Sequence, residues 1–184
     1  MRHARSCRSQ AKDLITLAAN AILRPTAGFM LAHPARFIAL GFGTGLSPFA
    51  PGTVGTLLGF PVYWIASEQL APYGPLAMLA LVALMFLLGV LACERTGRDL
   101  GIADHSGMNW DEIVAFQLVL MLTPEAWQWQ AFAFFGFRFF DVVKPPPIRQ
   151  VDARLKGGLG VMFDDILAAF YTLLAMAVGK AVFG

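Results

Sequence analysis

The sequence predicts an all-α protein, a small polytopic membrane helical bundle with a short or re-entrant central hairpin. Three observations carry that expectation. Residues 75–93, PLAMLALVALMFLLGVLAC, run for 19 positions without a charge. As a helix they would span about 28 Å, close to the roughly 30 Å hydrocarbon core of a bilayer. The whole chain is 57% hydrophobic and 14% charged, with a mean hydropathy of +0.61, too apolar for an ordinary soluble domain. Two further apolar pieces, 113–123 and 131–140, hold 11 and 10 residues, too short to cross a membrane independently.

A length of 184 residues fits one domain, without repeats or low-complexity linkers. Residues 1–40 are expected to form a basic leader, carrying Arg2, Arg5, Arg8 and Lys12, and residues 41–184 the membrane domain. No long apolar stretch follows those cations, and Asp13 and Asn20 interrupt the first one, so the leader reads as interfacial and cytoplasmic, not as a cleaved signal. Residues 13–40 should form one or two helices, divided near Arg24-Pro25 and His33-Pro34, because proline disfavours helical geometry in the residue before it. The segment Gly41–Thr56 is too rich in glycine and proline for a regular element.

A helix is expected from Thr53 to about Leu70, with Thr53 as its N-cap, then a turn over residues 71–75 and the long apolar span. A polar stretch follows from Glu94 to Glu112. Residues 113–140 form either a hairpin that starts in the headgroup region or a re-entrant pair shielded by other helices. Trp127 and Trp129 near its tip suit either an interfacial belt or ordinary packing. A last helix should run from Asp164 to Phe183.

The basic residues give an orientation. Six of the 14 Lys/Arg precede Gly41, two lie between Glu94 and Glu112, and four lie between Lys144 and Lys156. The connections around 68–75 and 123–130 have none. The positive-inside rule puts the leader, the glycine-rich loop, the 94–112 stretch and the 141–165 stretch in the cytoplasm, so every polar cluster falls on one face. A formal net charge of +2 is too small to argue for a nucleic-acid partner; membrane lipids are the expected one. Cys7 and Cys93 form neither a disulfide framework nor a metal motif.

Three clusters carry chemistry. In Ser47–Thr56 the start of a helix could hold a phosphate on backbone N–H groups, although Pro-Gly-Thr is also plain capping. Asp104-His105 precede Asn109-Trp110-Asp111-Glu112, and paired acids suit Mg²⁺, whereas a helix dipole alone explains one acid better than two. His105 could serve as a base or a phosphate contact. Arg138, Asp141 and Lys144 follow one helix face until Pro145-Pro146-Pro147, as either a salt-bridge ladder or an anion site beside a metal-binding acid. Asp164-Asp165, after Gly157-Gly158-Leu159-Gly160, repeat the paired-acid arrangement at an expected helix start.

APGTVGT at residues 50–56, DH…WDE at residues 104–112 and FRFFDVVKPPPIRQVDARLKGGLGVMFDD at residues 137–165 resemble the three signature blocks of the phosphatidylglycerophosphatase A family, in the family's order. The resemblance covers the chain from about Gly41 onward. It implies a bacterial inner-membrane, Mg²⁺-dependent phosphatase that converts phosphatidylglycerophosphate to phosphatidylglycerol. Asp111, Glu112, Asp141, Asp164 and Asp165 are then the candidate metal ligands. Asp111, Asp141, Lys144 and Asp165 are the candidate catalytic residues, and Lys144, Arg138, Arg149 and Thr53 the candidate phosphate contacts. A metal-activated water is the simplest nucleophile. Two rivals are a CDP-alcohol phosphotransferase, whose motif would need an acid where Ala168 stands, and a non-catalytic membrane scaffold that uses the acids only as helix caps.

Overall fold

Prolines and one partly exposed carboxylate, Glu94, set where several helices of this chain begin. The computed structural model describes residues 25–183, and every regular element among them is helical. Of the expected leader at residues 1–40, residues 1–24 lie outside the described residues. Helices α1 (Ala27–Leu31) and α2 (Pro34–Ala39) break at His33-Pro34, as the sequence predicts, with the His33 side chain capping α2 through the Ala35 amide. A distorted 3₁₀ turn, Gly41–Leu46, follows, with Phe42 at φ 58°.

Helix α3 (Pro51–Leu70) starts two residues before Thr53, which corrects the expected N-cap. Proline suits the first helical position, since its missing N–H costs nothing there, and Ala50 turns the chain in at φ 43°. After a 3₁₀ turn, Ala71–Tyr73, helix α4 (Pro75–Leu100) continues two turns beyond the expected span. Glu94 with Arg98, and Arg95 with Asp99, are i,i+4 pairs that extend it into polar sequence.

Helices α5 (Trp110–Leu122) and α6 (Trp127–Val143) form the central hairpin. At 13 and 17 residues they measure about 20 and 26 Å. Met121 near the end of α5 lines one pocket with Leu70, Gly74 and Pro75, so the hairpin approaches the α3–α4 turn. After α7 (Ile148–Arg154), α8 (Gly158–Phe183) begins six residues before Asp164. The acids thus sit in its second turn, not at its start. Glu94 accepts a hydrogen bond from the Gly158 amide at 2.8 Å and caps α8 from the side of α4.

Helix α5 is the axis of the bundle. Its residues 110–117 are all buried, and it packs against α3, α4, α6 and α8. Gln117 donates from Nε2 to the Gly59 carbonyl at 3.1 Å, tying α5 to α3 where the backbone is closest. The outer helices turn large apolar side chains outward: Leu57 and Ile65 on α3, Leu84 and Leu91 on α4, Phe135 and Phe139 on α6, Phe170 and Leu174 on α8. Two of them, Pro75–Leu100 and Gly158–Val182, are long and apolar enough to cross a membrane.

Candidate functional site

The starts of α3, α5 and α8 and the end of α6 meet at one end of the bundle. Asn109, fully buried, fixes that meeting. Its Nδ2 donates to the Pro51 carbonyl at 2.8 Å and to Thr44 Oγ1 at 2.9 Å, while its backbone amide donates to the Ala39 carbonyl at 3.0 Å. Gly52 then lets α3 lie against α5 and α6. A Cβ there would overlap Glu112 Oε1 and stand 3.0 Å from both terminal nitrogens of Arg138.

These contacts enclose a cavity of about 250 Å³. Asp111 and Glu112 enter it from α5, Asp164 and Asp165 from α8, and Arg138, Asp141 and Lys144 from α6 and its C-cap. Ala50, Pro51 and Gly52 close one wall, and Asp104, Ser106 and Met108 another. Seven of the nine sequence-predicted residues therefore converge. Thr53 and Arg149 are not among the described residues that line the cavity, and Arg149 is exposed on α7. Asp104, Ser106 and Asn109 lie in the second sequence cluster without an assigned role there. Asn109, just before paired acids, looks like a local cap, yet its side chain bonds to partners 58 and 65 residues away.

Charge is divided within the cavity. Arg138 Nη1 pairs with Asp141 Oδ2 at 2.6 Å and lies 3.4 Å from Glu112 Oε1. Lys144, left-handed at φ 44°, turns out of α6 and pairs with Asp164. Of the expected ladder along one helix, Arg138 and Asp141 form an ion pair, and Lys144 reaches across to Asp164 on α8. Asp111, Glu112 and Asp165 form the other half, with one oxygen from each within 4.8 Å of the others. Asp111 Oδ1, Glu112 Oε2 and Asp165 Oδ2 are buried without a hydrogen-bond partner. Three orphaned carboxylate oxygens facing one another are expensive, and a hard divalent cation is the group that satisfies them.

Burial, then the charges of Glu112 and Asp165, drives the Asp111 carboxyl well above its ordinary range. Burial also pushes Glu112 up to about 7, against the opposing pull of a hydrogen bond from Asp111. Without a cation, burial therefore favours the protonated forms of this pair. Such a site can exchange protons for metal, while its two cations face the same space and can receive an anion.

Comparison with known proteins points to one family. The family model described as phosphatidylglycerophosphatase A matches residues 37–180. The phosphatidylglycerophosphatase A of Haemophilus influenzae is 42% identical over 153 residues, 83% of this chain and 92% of the relative. That of Escherichia coli is 39% identical over 140 residues, 75% and 78% of the two chains. A Bacteroides thetaiotaomicron protein, provisionally named a phosphatidylinositol-3-phosphatase, is 41% identical over 152 residues, 80% and 94%. No solved structure matches the chain.

Proposed function

Since the chain belongs to the phosphatidylglycerophosphatase A family and is a phosphatase, we propose that it hydrolyses phosphatidylglycerophosphate to phosphatidylglycerol and inorganic phosphate. The observation that carries this reading is the pairing, in one cavity, of three cation-seeking carboxylates with two cationic side chains. Phosphoryl transfer asks a protein mainly for positioning and for neutralisation of charge on the phosphate. Asp111, Glu112 and Asp165 would hold Mg²⁺, with Asp141 and Asp164 completing the acidic shell. When bound, Mg²⁺ supplies Lewis-acid polarisation of the phosphate and of the attacking water.

Lys144 and Arg138 receive the phosphate oxygens, and their ion pairs with Asp164 and Asp141 hold them in place beforehand. The start of α3, at Pro51-Gly52-Thr53, adds the positive end of a helix dipole. Asp141, which lines the same cavity as Asp165, accepts the proton released by the water and returns it to the glycerol oxygen as the P–O bond breaks. The released glycerol hydroxyl stays with the lipid.

The outward apolar side chains support a bundle that crosses the bacterial inner membrane, with α4 and α8 as full spans and 113–140 as the hairpin between them. The basic segments then put the cavity at the cytoplasmic interface.

The test is phosphate release by the purified protein, with and without Mg²⁺, from phosphatidylglycerophosphate and from phosphatidylinositol 3-phosphate. Hydrolysis of the first in Mg²⁺ is expected. Asp165→Asn should lower it by about a hundredfold or more, a loss of several kcal/mol of transition-state stabilisation. Preference for the inositol lipid would replace the substrate. Inert wild-type protein, where the Haemophilus influenzae relative is active, would favour a scaffold.

A further inference from the structure

A second, smaller chamber of about 150 Å³ adjoins the acid cavity and shares two walls with it, Pro51 and Ser106. It lies between the 3₁₀ turn and the loop that leads into α5. The floor is backbone against backbone: a Cβ at Gly45 would overlap the Gly107 carbonyl oxygen, and one at Gly107 would stand 3.0 Å from the Gly45 carbonyl oxygen. Consecutive residues serve the two spaces, since Asp104 lines the cavity and His105 lines the chamber.

The chemistry of the two spaces differs. None of the described residues lining the chamber is Lys, Arg, Asp or Glu. Its polar side chains are Ser47, His105 and Ser106. His105 Nδ1 accepts a hydrogen bond from the Gly107 amide at 3.0 Å, so the neutral ring carries its proton on Nε2 and is a donor there. That arrangement does not suit the base considered from the sequence. Ser47 Oγ donates to the Phe49 carbonyl at 2.8 Å and keeps lone pairs to accept with. Uncharged donors and acceptors in a small space suit hydroxyl groups better than a second phosphate. The volume equals the liquid share of about five waters, comparable with a three-carbon polyol.

We infer that this chamber receives the polyol attached to the departing phosphate, and that His105 is a specificity-determining residue, donating from Nε2 to a polyol oxygen. The inference rests on the lipid-phosphatase reading and deepens it. With the phosphate between Lys144 and Arg138, the alcohol it is leaving needs an adjoining space. Ser106, on the shared wall, stands at the boundary between the two groups.

Two substitutions separate recognition from bracing. His105→Gln keeps a donor near Nε2 but gives up the acceptor for Gly107; His105→Asn keeps that acceptor and gives up the distant donor. The readout is the ratio of kcat/KM for phosphatidylglycerophosphate to kcat/KM for phosphatidic acid, which lacks the headgroup polyol. His105→Asn should lower the ratio about tenfold through KM, the worth of one ordinary hydrogen bond, and His105→Gln should stay near wild type. A wild-type ratio in His105→Asn with a fall in His105→Gln would make His105 a turn brace and overturn the inference. Equal losses on both substrates would overturn it too. Wild-type protein inert toward phosphatidylglycerophosphate would instead sink the substrate reading. Binding of glycerol 3-phosphate against inorganic phosphate then decides the chamber: it stands if His105→Asn loses a wild-type preference for glycerol 3-phosphate, and falls if wild type shows none.

Discussion

Asp111 and Glu112 are neighbours in sequence and in space, and each withholds its proton from water because it is buried beside other acids. The consequence for stability has a definite sign. An unfolded glutamate ionises near its ordinary value of about 4.3, while folded Glu112 does so at about 7, so between those values the folded chain binds more protons. Metal-free protein should therefore lose stability as pH rises through that interval, and the raised Asp111 carboxyl adds a loss of the same sign. Mg²⁺ should raise the unfolding temperature at about pH 7 and do little at about pH 5, where protons already neutralise the acids. A midpoint that climbs with pH in chelator would contradict the assignment. At this scale the sequence was informative about which acids matter, because charge is rare in so apolar a chain. It was silent on pairing. Arg138 and Asp141 are i,i+3 neighbours and readable from spacing, but Lys144 finds Asp164 only because a left-handed turn and a second helix bring residues 20 apart together.

Helix α8 owes its start to α4. Gly158 lies so close to that helix that a Cβ would overlap the Val90 carbonyl oxygen and stand 2.7 Å from the Glu94 amide nitrogen, both rigid backbone atoms. Gly158→Ala should destabilise the detergent-solubilised protein by about 1–3 kcal/mol in a denaturant titration, because neither helix can yield without losing its packing. Gly136→Ala is the control: its Cβ would meet only Thr172 Cγ2 at 3.4 Å, and it should cost under about 1 kcal/mol. Equal effects would refute the close approach. The same contact explains the misplaced start of α8. Local pattern favours a helix beginning at paired acids, since carboxylates suit the first turn. The cap that begins this one comes from Glu94, 64 residues earlier, and no local signal reports it. The two long apolar helices and the break at His33-Pro34 were legible because each follows from composition within a single window.

The acid cavity lies at one end of the bundle, and the outer helices turn large apolar side chains outward. If the hairpin of α5 and α6 crosses, its tip and α7 lie on opposite sides of the membrane. Single cysteines at Gln128 and Gln150, in a background with Cys7→Ser and Cys93→Ala, test this directly. In intact spheroplasts an impermeant maleimide should label Gln128→Cys, and Gln150→Cys only after permeabilisation. Labelling of both from one side would make the pair re-entrant. Sequence periodicity leaves this choice open, because 11 apolar residues suit both a shielded crossing and a turn within the bilayer. The end-on placement of the cavity has a further consequence. Helices α3, α5, α6 and α8 deliver their cavity-lining groups to one end of the bundle, so in a bundle that spans the bilayer the enzyme would have access to lipids of one monolayer alone. In sealed vesicles containing uniformly oriented protein, substrate facing the acid end should disappear while the opposite monolayer keeps its share, until lipid crosses between them. Supply of phosphatidylglycerol to the far monolayer would then depend on transbilayer movement, not on this enzyme's turnover.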